Sequence, residues 1–152
     1  MRTVVIGCDN AAVGLKNILK KHMLDQGILV EDVGCDIPED PTFYPLIAKR
    51  VCDKVIESDF KNDGVLICGT GIGMAMTANK FNGIRAAVCH DPFSAERAKL
   101  SNNANVICMG ERVIGSELAK KLLDEWLKHT FIDGSSTPKV QAIMDIENEN
   151  MK

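Results

Sequence analysis

Five short apolar runs, spaced by longer segments of helical periodicity, limit what this chain can fold into more than any other feature. The runs are "TVVIGC" (3–8), "ILVEDV" (28–33), "GVLIC" (64–68), "IRAAVC" (84–89) and "NVICMG" (105–110). They are β-branched and nearly unbroken in apolar character, the pattern of parallel strands covered on both faces. Between them, Leu15, Ile18, Leu19 and Met23 share one helical face, with Gly27 as the stop. Residues 45–58 repeat the pattern with Leu46, Ile47, Val51 and Val55, opened by Pro45 in the first turn. Residues 115–128 bring Leu118, Leu122, Leu123 and Trp126 together. Such alternation predicts one α/β domain over residues 1–152, with a mostly parallel five-stranded sheet, helices on both faces and right-handed crossovers. A last amphipathic helix, about residues 138–148, carries Val140, Ile143 and Met144 and has no strand after it, so it is expected to pack on a neighbouring subunit.

A domain of this kind binds ligands beyond the carboxyl ends of its strands, where the strand order reverses. The first strand is followed by Asp9 and Asn10, the second by "GCDIPEDPTFYP", the third by "CGTGIG", the fourth by "CHDP" and the fifth by "GER" with Arg112. The glycine loop is spaced G-x-G-x-G, with Met74 where a dinucleotide fingerprint places its last glycine. A P-loop requires Gly-Lys-Ser/Thr, which is absent, so both nucleotide readings fail. What remains is a loop whose N–H groups converge ahead of a helix, suited to a phosphate or a transient oxyanion. The bland alternative is a turn that needs glycine for its shape alone, which three alternating glycines exceed.

Cys68 stands at the rim of that loop. A thiol beside a helix N-terminus has a depressed pKa and can act as a base or nucleophile. Thr70 adds a hydroxyl in the same volume. The other strand-borne cysteines, at 8, 89 and 108, read as small buried apolar residues. None of the six cysteines forms a C-x-x-C pair and the three histidines are scattered, so no metal site is expected, and the thiols are expected to be free. The net charge of −3 without blocks of like charge advertises neither nucleic acid nor membrane, and no run is long enough to span a bilayer. A strand-like segment at the start of the chain, without a signal-peptide layout, points to the cytoplasm. A receiver domain would need an aspartate where Cys68 ends the third strand, and a thiol redox protein would need a resolving cysteine nearby.

The stretches "GCDNAAVGLK", "YP", "LICGTGIGMAMTANKFNGIRAAVC", "NNANVICMGERVIG" and "ELAKKLLDEWL" resemble, in order and over nearly the whole chain, the sugar-phosphate isomerases that include ribose-5-phosphate isomerase B and the galactose-6-phosphate isomerase subunits. The resemblance implies a Rossmann-like three-layer α/β/α sandwich. It implies a dimer or dimer of dimers with shared active sites, and interconversion of aldose and ketose phosphates without metal or organic cofactor. It makes Cys68 the general base for a cis-enediolate, assisted by Thr70, with Gly69, Gly71 and Gly73 in the oxyanion loop. It assigns Asp9 to the sugar hydroxyls, Tyr44 to the pocket, Asn102 to substrate, and Arg112 to the phosphate from the partner subunit.

Departures from the family pattern are equally specific. The histidine that opens the furanose ring is replaced by Ser101, and the histidine near the phosphate by Asn10. The two C-terminal arginines become Ser135 and Lys139, which thins the phosphate grip to Lys139, and the acid before "YP" is Phe43. Loss of the ring-opening histidine is more like the galactose-6-phosphate isomerase B subunit, which works beside a paralogous A subunit. Either His90, after the fourth strand, substitutes for it, or a partner supplies one. A non-catalytic or half-site sugar-phosphate-binding subunit is the alternative function. The residues leave open whether the sugar is a pentose or a hexose, and whether it is phosphorylated.

Overall fold

The computed structural model describes residues 2–151 as a single parallel sheet between two helical layers. The strands are β1 (Thr3–Cys8), β2 (Leu29–Asp32), β3 (Asp63–Cys68), β4 (Ala86–Val88) and β5 (Val106–Gly110), in the order β2-β1-β3-β5-β4. Every neighbouring pair is parallel. The central strand β3 is buried along its whole length, matching its unbroken apolar run, whereas the edge strands β2 and β4 are shorter and partly exposed. Helices α1 (Val13–Asp25), α4 (Pro92–Leu100) and α5 (Ser116–Leu127) pack together on one face; α2 (Tyr44–Glu57) and α3 (Ile72–Ala78) pack together on the other. The three-layer α/β/α arrangement expected from the sequence is the one observed.

Details of the helical faces differ. Leu15, Leu19 and Met23 are buried but Ile18 is exposed, and Leu46 lies outside the α2 face formed by Ile47, Val51 and Val55. Helix α4 escaped the periodicity reading because its buried residues are Ala95, Ala98 and Lys99, which make no apolar stripe. Its start is nonetheless written in "DP": Asp91 caps the Ser94 N–H at 2.8 Å, and Pro92 occupies the first turn.

Two features fix where the ends of these elements lie. The chain runs from β1 to β2 on one side and returns to β3 on the other, so the reversal of strand order falls at the carboxyl ends of β1 and β3, beside Asp9 and Cys68. At the amino end of β3, buried Lys99 donates to Asp63 at 2.8 Å and lies 4.1 Å from the Trp126 ring centroid. That contact pins the last turn of α4 to the amino edge of the sheet.

The edge strand β4 is closed off by a side chain. Asn79 accepts from the Ala86 N–H at 2.8 Å and donates to the Ala86 carbonyl at 3.0 Å, occupying the bonds a sixth strand would make. The last helix, α6 (Thr137–Asn150), buries only Val140 against its own chain. It is tied down by Glu147, which accepts from the Gly83 N–H at 3.0 Å. Among the described residues no helix is long and apolar enough to cross a membrane.

Candidate active site

A cleft of about 400 Å³ opens at the carboxyl edge, lined by Asp9, Tyr44, Cys68, Thr70, Gly73 and Arg112 among others. They arrive from four strand ends or the segments that follow them: Asp9 after β1, Tyr44 after β2, Cys68, Thr70 and Gly73 at and after β3, and Arg112 after β5. Cys68 ends β3, and its sulfur accepts from the Gly71 N–H at 3.1 Å. Gly71 itself has φ +80, and a Cβ there would stand 2.9 Å from the Met109 backbone, so only glycine closes this turn against β5. Gly73 likewise makes room for the Tyr44 ring, which a Cβ would overlap.

The loop is expected to turn several of its N–H groups toward an anion, and not every one is free to do so. The Gly71 N–H is turned to the Cys68 sulfur, and the Ile72 N–H to Thr70 Oγ1 at 3.2 Å. Among the described residues, the N–H groups of Thr70 and Gly73 have no protein acceptor and remain available at the cleft.

Arg112 lies at its own chain's loop. Its N–H donates to the Gly69 carbonyl at 3.0 Å and its guanidinium packs over the Gly69 Cα. This corrects the expectation that Arg112 reaches the site from a partner. Asp9, one residue beyond β1, accepts from the Ala11 N–H at 3.1 Å. Burial raises its carboxyl above the ordinary value, partly offset by the Ala11 N–H and the Arg112 charge. Asn10 turns away to donate to the Asp40 carbonyl at 3.1 Å, and so anchors the 35–43 loop. It lines an adjoining cleft of about 290 Å³ that shares Asp9 and Tyr44.

Cys68 is the one cysteine lining the main cleft. Burial pushes the thiols of Cys8 and Cys52 up to about 12, Cys89 to about 11, and Cys35 and Cys108 upward as well. All five are buried and their thiols are disfavoured as thiolates; for Cys8, Cys89 and Cys108 this is the buried apolar role expected.

Ser101, Asn102 and Lys139 are not in this cleft. Ser101 and Asn102 follow the α4 turn that Lys99 pins to Asp63, and β3 separates Asp63 from Cys68 by about 17 Å. Asn102 instead lines a larger cleft of about 480 Å³ beneath α6, and Lys139 is exposed on the first turns of α6. That larger cleft is mainly apolar, and its charged pair is already committed: Arg85 to the Asn103 carbonyl at 2.7 Å and Glu147 to Gly83. His90 does not substitute for the missing histidine, because its Nε2 accepts the Gly110 N–H at 2.9 Å and the ring does not line the Cys68 cleft. Glu96, Glu125 and His129 form a partly buried cluster, but Lys128 bonds Glu125 at 2.7 Å and Arg97 lies 3.6 Å from Glu96, so the carboxylates are already neutralised by cations.

A thiol at a buried edge, a neighbouring hydroxyl, backbone donors without a protein acceptor and an arginine, all from one chain, line one cleft, a set chemically able to move a proton on a small anion. The Ribose/Galactose Isomerase family model matches residues 4–143, and the chain belongs to this family of isomerases. It is 44% identical over 149 residues to the D-erythrulose-4-phosphate isomerase of Pectobacterium atrosepticum, covering 98% of this chain and 97% of that one. It is 45% identical over 147 residues to the ribose-5-phosphate isomerase B of Listeria innocua, with 97% and 98% covered. Its fold matches the solved ribose-5-phosphate isomerase B of Mycoplasma genitalium with bound ribulose-5-phosphate, with TM-score 0.92, 33% identity and 97% of each chain covered.

Proposed function

We propose that this chain interconverts the aldose and ketose forms of a four-carbon sugar 4-phosphate through a cis-enediolate. The observation that carries the reading is the pairing of the Cys68 cleft with the absence, among the described residues, of a histidine placed to open a sugar ring. None of the three histidines lines the cleft, and residue 101 is a serine. A pentose 5-phosphate keeps its O4 free and closes to a furanose, and a hexose 6-phosphate closes to a ring in the same way. Both must be opened by an acid–base group before the carbon next to the carbonyl can lose a proton. In a tetrose 4-phosphate O4 is esterified, so the five-membered ring cannot form and no such group is needed. Two relatives at 44% and 46% identity are named D-erythrulose-4-phosphate isomerases, which agrees with this choice.

In the proposed reaction the Cys68 thiolate removes the proton from the carbon next to the carbonyl, and the C–H electrons form the enediolate double bond. The same sulfur returns the proton to the neighbouring carbon. The N–H groups of Thr70 and Gly73 face the oxyanion, the Thr70 hydroxyl exchanges the proton between the two oxygens, and Asp9 orders the sugar hydroxyls. Arg112 neutralises the anionic end of the substrate.

The chain is further proposed to act as a dimer in which Asn102, Ser101 and Lys139 serve the partner's cleft. Their position at the far edge, the exposed Ile72 and Met76 beside the cleft and the nearly unburied α6 support this. Kinetics on D-erythrulose 4-phosphate, D-ribose 5-phosphate and D-galactose 6-phosphate test the substrate. The reading requires kcat/KM at least tenfold higher for the tetrose; a preference for either ring-forming sugar overturns it. The half-site alternative, favoured by Ser101 and Asn10, predicts a purified chain inert on all three and revived by a paralogous subunit.

A further inference from the structure

His90 is the one histidine at the carboxyl edge of the sheet, and the reaction outlined above gives it no task. Its place is unusual. The last main-chain bond between β4 and β5 runs from the Cys89 N–H to the Cys108 carbonyl at 3.1 Å. The next donor along β5 on that side is the Gly110 N–H, and β4 has already ended. The imidazole takes the place of the missing carbonyl, with Nε2 accepting Gly110 at 2.9 Å. Accepting from a backbone N–H requires the lone pair on Nε2, so the ring is neutral with its proton on Nδ1.

Gly110 is also the floor of the catalytic loop. It pairs with Cys68 in the β3–β5 register. A Cβ at 110 would stand 2.6 Å from the Thr70 Cα, so the loop lies directly on the Gly110 backbone. The two residues beyond it hold the loop from the other side: the Glu111 N–H donates to the Cys68 carbonyl at 2.9 Å and the Arg112 N–H to the Gly69 carbonyl at 3.0 Å. One short segment is thus gripped by His90 on its β4 side and grips Cys68, Gly69 and Arg112 on its β3 side.

We propose that His90 is a positioning residue for proton transfer: as a neutral acceptor it fixes Gly110, and through Gly110 the loop that carries the Cys68 sulfur. The proposal rests on the reading of Cys68 as the base. A displacement near 1 Å at a reacting atom costs about a hundredfold in rate, whereas substrate affinity, spread over Asp9, Tyr44 and Arg112, changes less.

The test compares His90→Phe, which keeps a ring but has no acceptor, with His90→Gln, whose side-chain oxygen can reach the Nε2 position. For His90→Phe we expect kcat lowered about tenfold to a hundredfold with KM changed less than about threefold. His90→Gln should recover kcat to within about threefold of the parent. Alkylation of Cys68 by iodoacetamide, followed by mass spectrometry, should change in His90→Phe and return in His90→Gln. Nitrogen-15 NMR of the unmodified protein should show an unprotonated Nε2, a measurement that needs no variant to fold. An Nε2 proton, equal impairment of both variants, or parent-like kcat and alkylation in His90→Phe each overturn the proposal. If Cys68→Ala keeps its turnover, the base reading fails instead, while the tautomer and alkylation results still report on His90.

Discussion

The two ends of β3 present opposite designs. At its carboxyl end Cys68, Thr70, Asp9, Tyr44 and Arg112 converge on one cleft, each held by a backbone bond or a glycine contact within the same chain. At its amino end Lys99 and Asp63 lock the turn that presents Ser101 and Asn102, but nothing there meets a reacting group. The first region is held together by its own chain; the second is a pinned turn that presents Ser101 and Asn102 away from that cleft. The difference teaches that one strand can gather a cleft at one end and, at the other, fix a turn whose polar residues that cleft does not reach.

The strongest way to break this contrast is at the sulfur. Cys68→Ser should lower kcat by about a thousandfold without changing the thermal midpoint; parent-like turnover would remove the carboxyl edge as the reactive one. Mixing subunits is the sharpest test of the split. Cys68→Ala and Asn102→Ala proteins should each be impaired, yet a re-equilibrated equal mixture should regain about a quarter of parental activity, because half the dimers then hold one intact site. Activity no greater than the sum of the two would mean that Asn102 serves no partner. Gly73→Ala drives a methyl into the Tyr44 ring and should cost about a hundredfold in kcat/KM, with the fold retained by circular dichroism. Ser101→His should raise turnover of D-ribose 5-phosphate about tenfold and leave the tetrose phosphate unchanged.

The smallest effect concerns acid stability at the carboxyl edge. Burial would raise the Asp32 carboxyl, but the Gly34 N–H together with Lys16 and Lys20 outweighs it and holds the group below its ordinary 3.8. A depressed carboxylate stabilises fully above the ordinary range and loses that contribution as pH falls through the lowered value. Urea midpoints should therefore drop between about pH 5 and pH 2, and Asp32→Asn should flatten that slope while lowering the plateau. Lys16, fully buried against Asp32 at 3.0 Å, would be left with weaker compensation.

Much of this was legible in the residues. The apolar runs located all five strands, most plainly β3 and β5, because strands covered on both faces tolerate almost no polar residue, and "CGTGIG" marked the cleft because only glycine tolerates the turn at 71. Helix α4 was not legible, since a helix buried through alanines and one paired lysine has no hydrophobic stripe to detect. The origin of Arg112 was also hidden: its approach to Gly69 depends on the β3–β5 pairing, and β5 comes to lie inside β4, an order that chain sequence does not announce. For the same reason the place of His90 was not legible: the donor that engages it, the Gly110 N–H, belongs to the neighbouring strand β5.

The Asn79 amide that bonds both main-chain groups of Ala86 reaches beyond local packing. An open parallel sheet is a template, and two such edges meeting would add strand to strand without a natural end. A single side chain, bonding as a strand would, turns that edge into a terminus. On the β4 side a further strand is thus denied its bonds at Ala86, and any contact there falls to side chains, which specify an orientation that backbone alone does not.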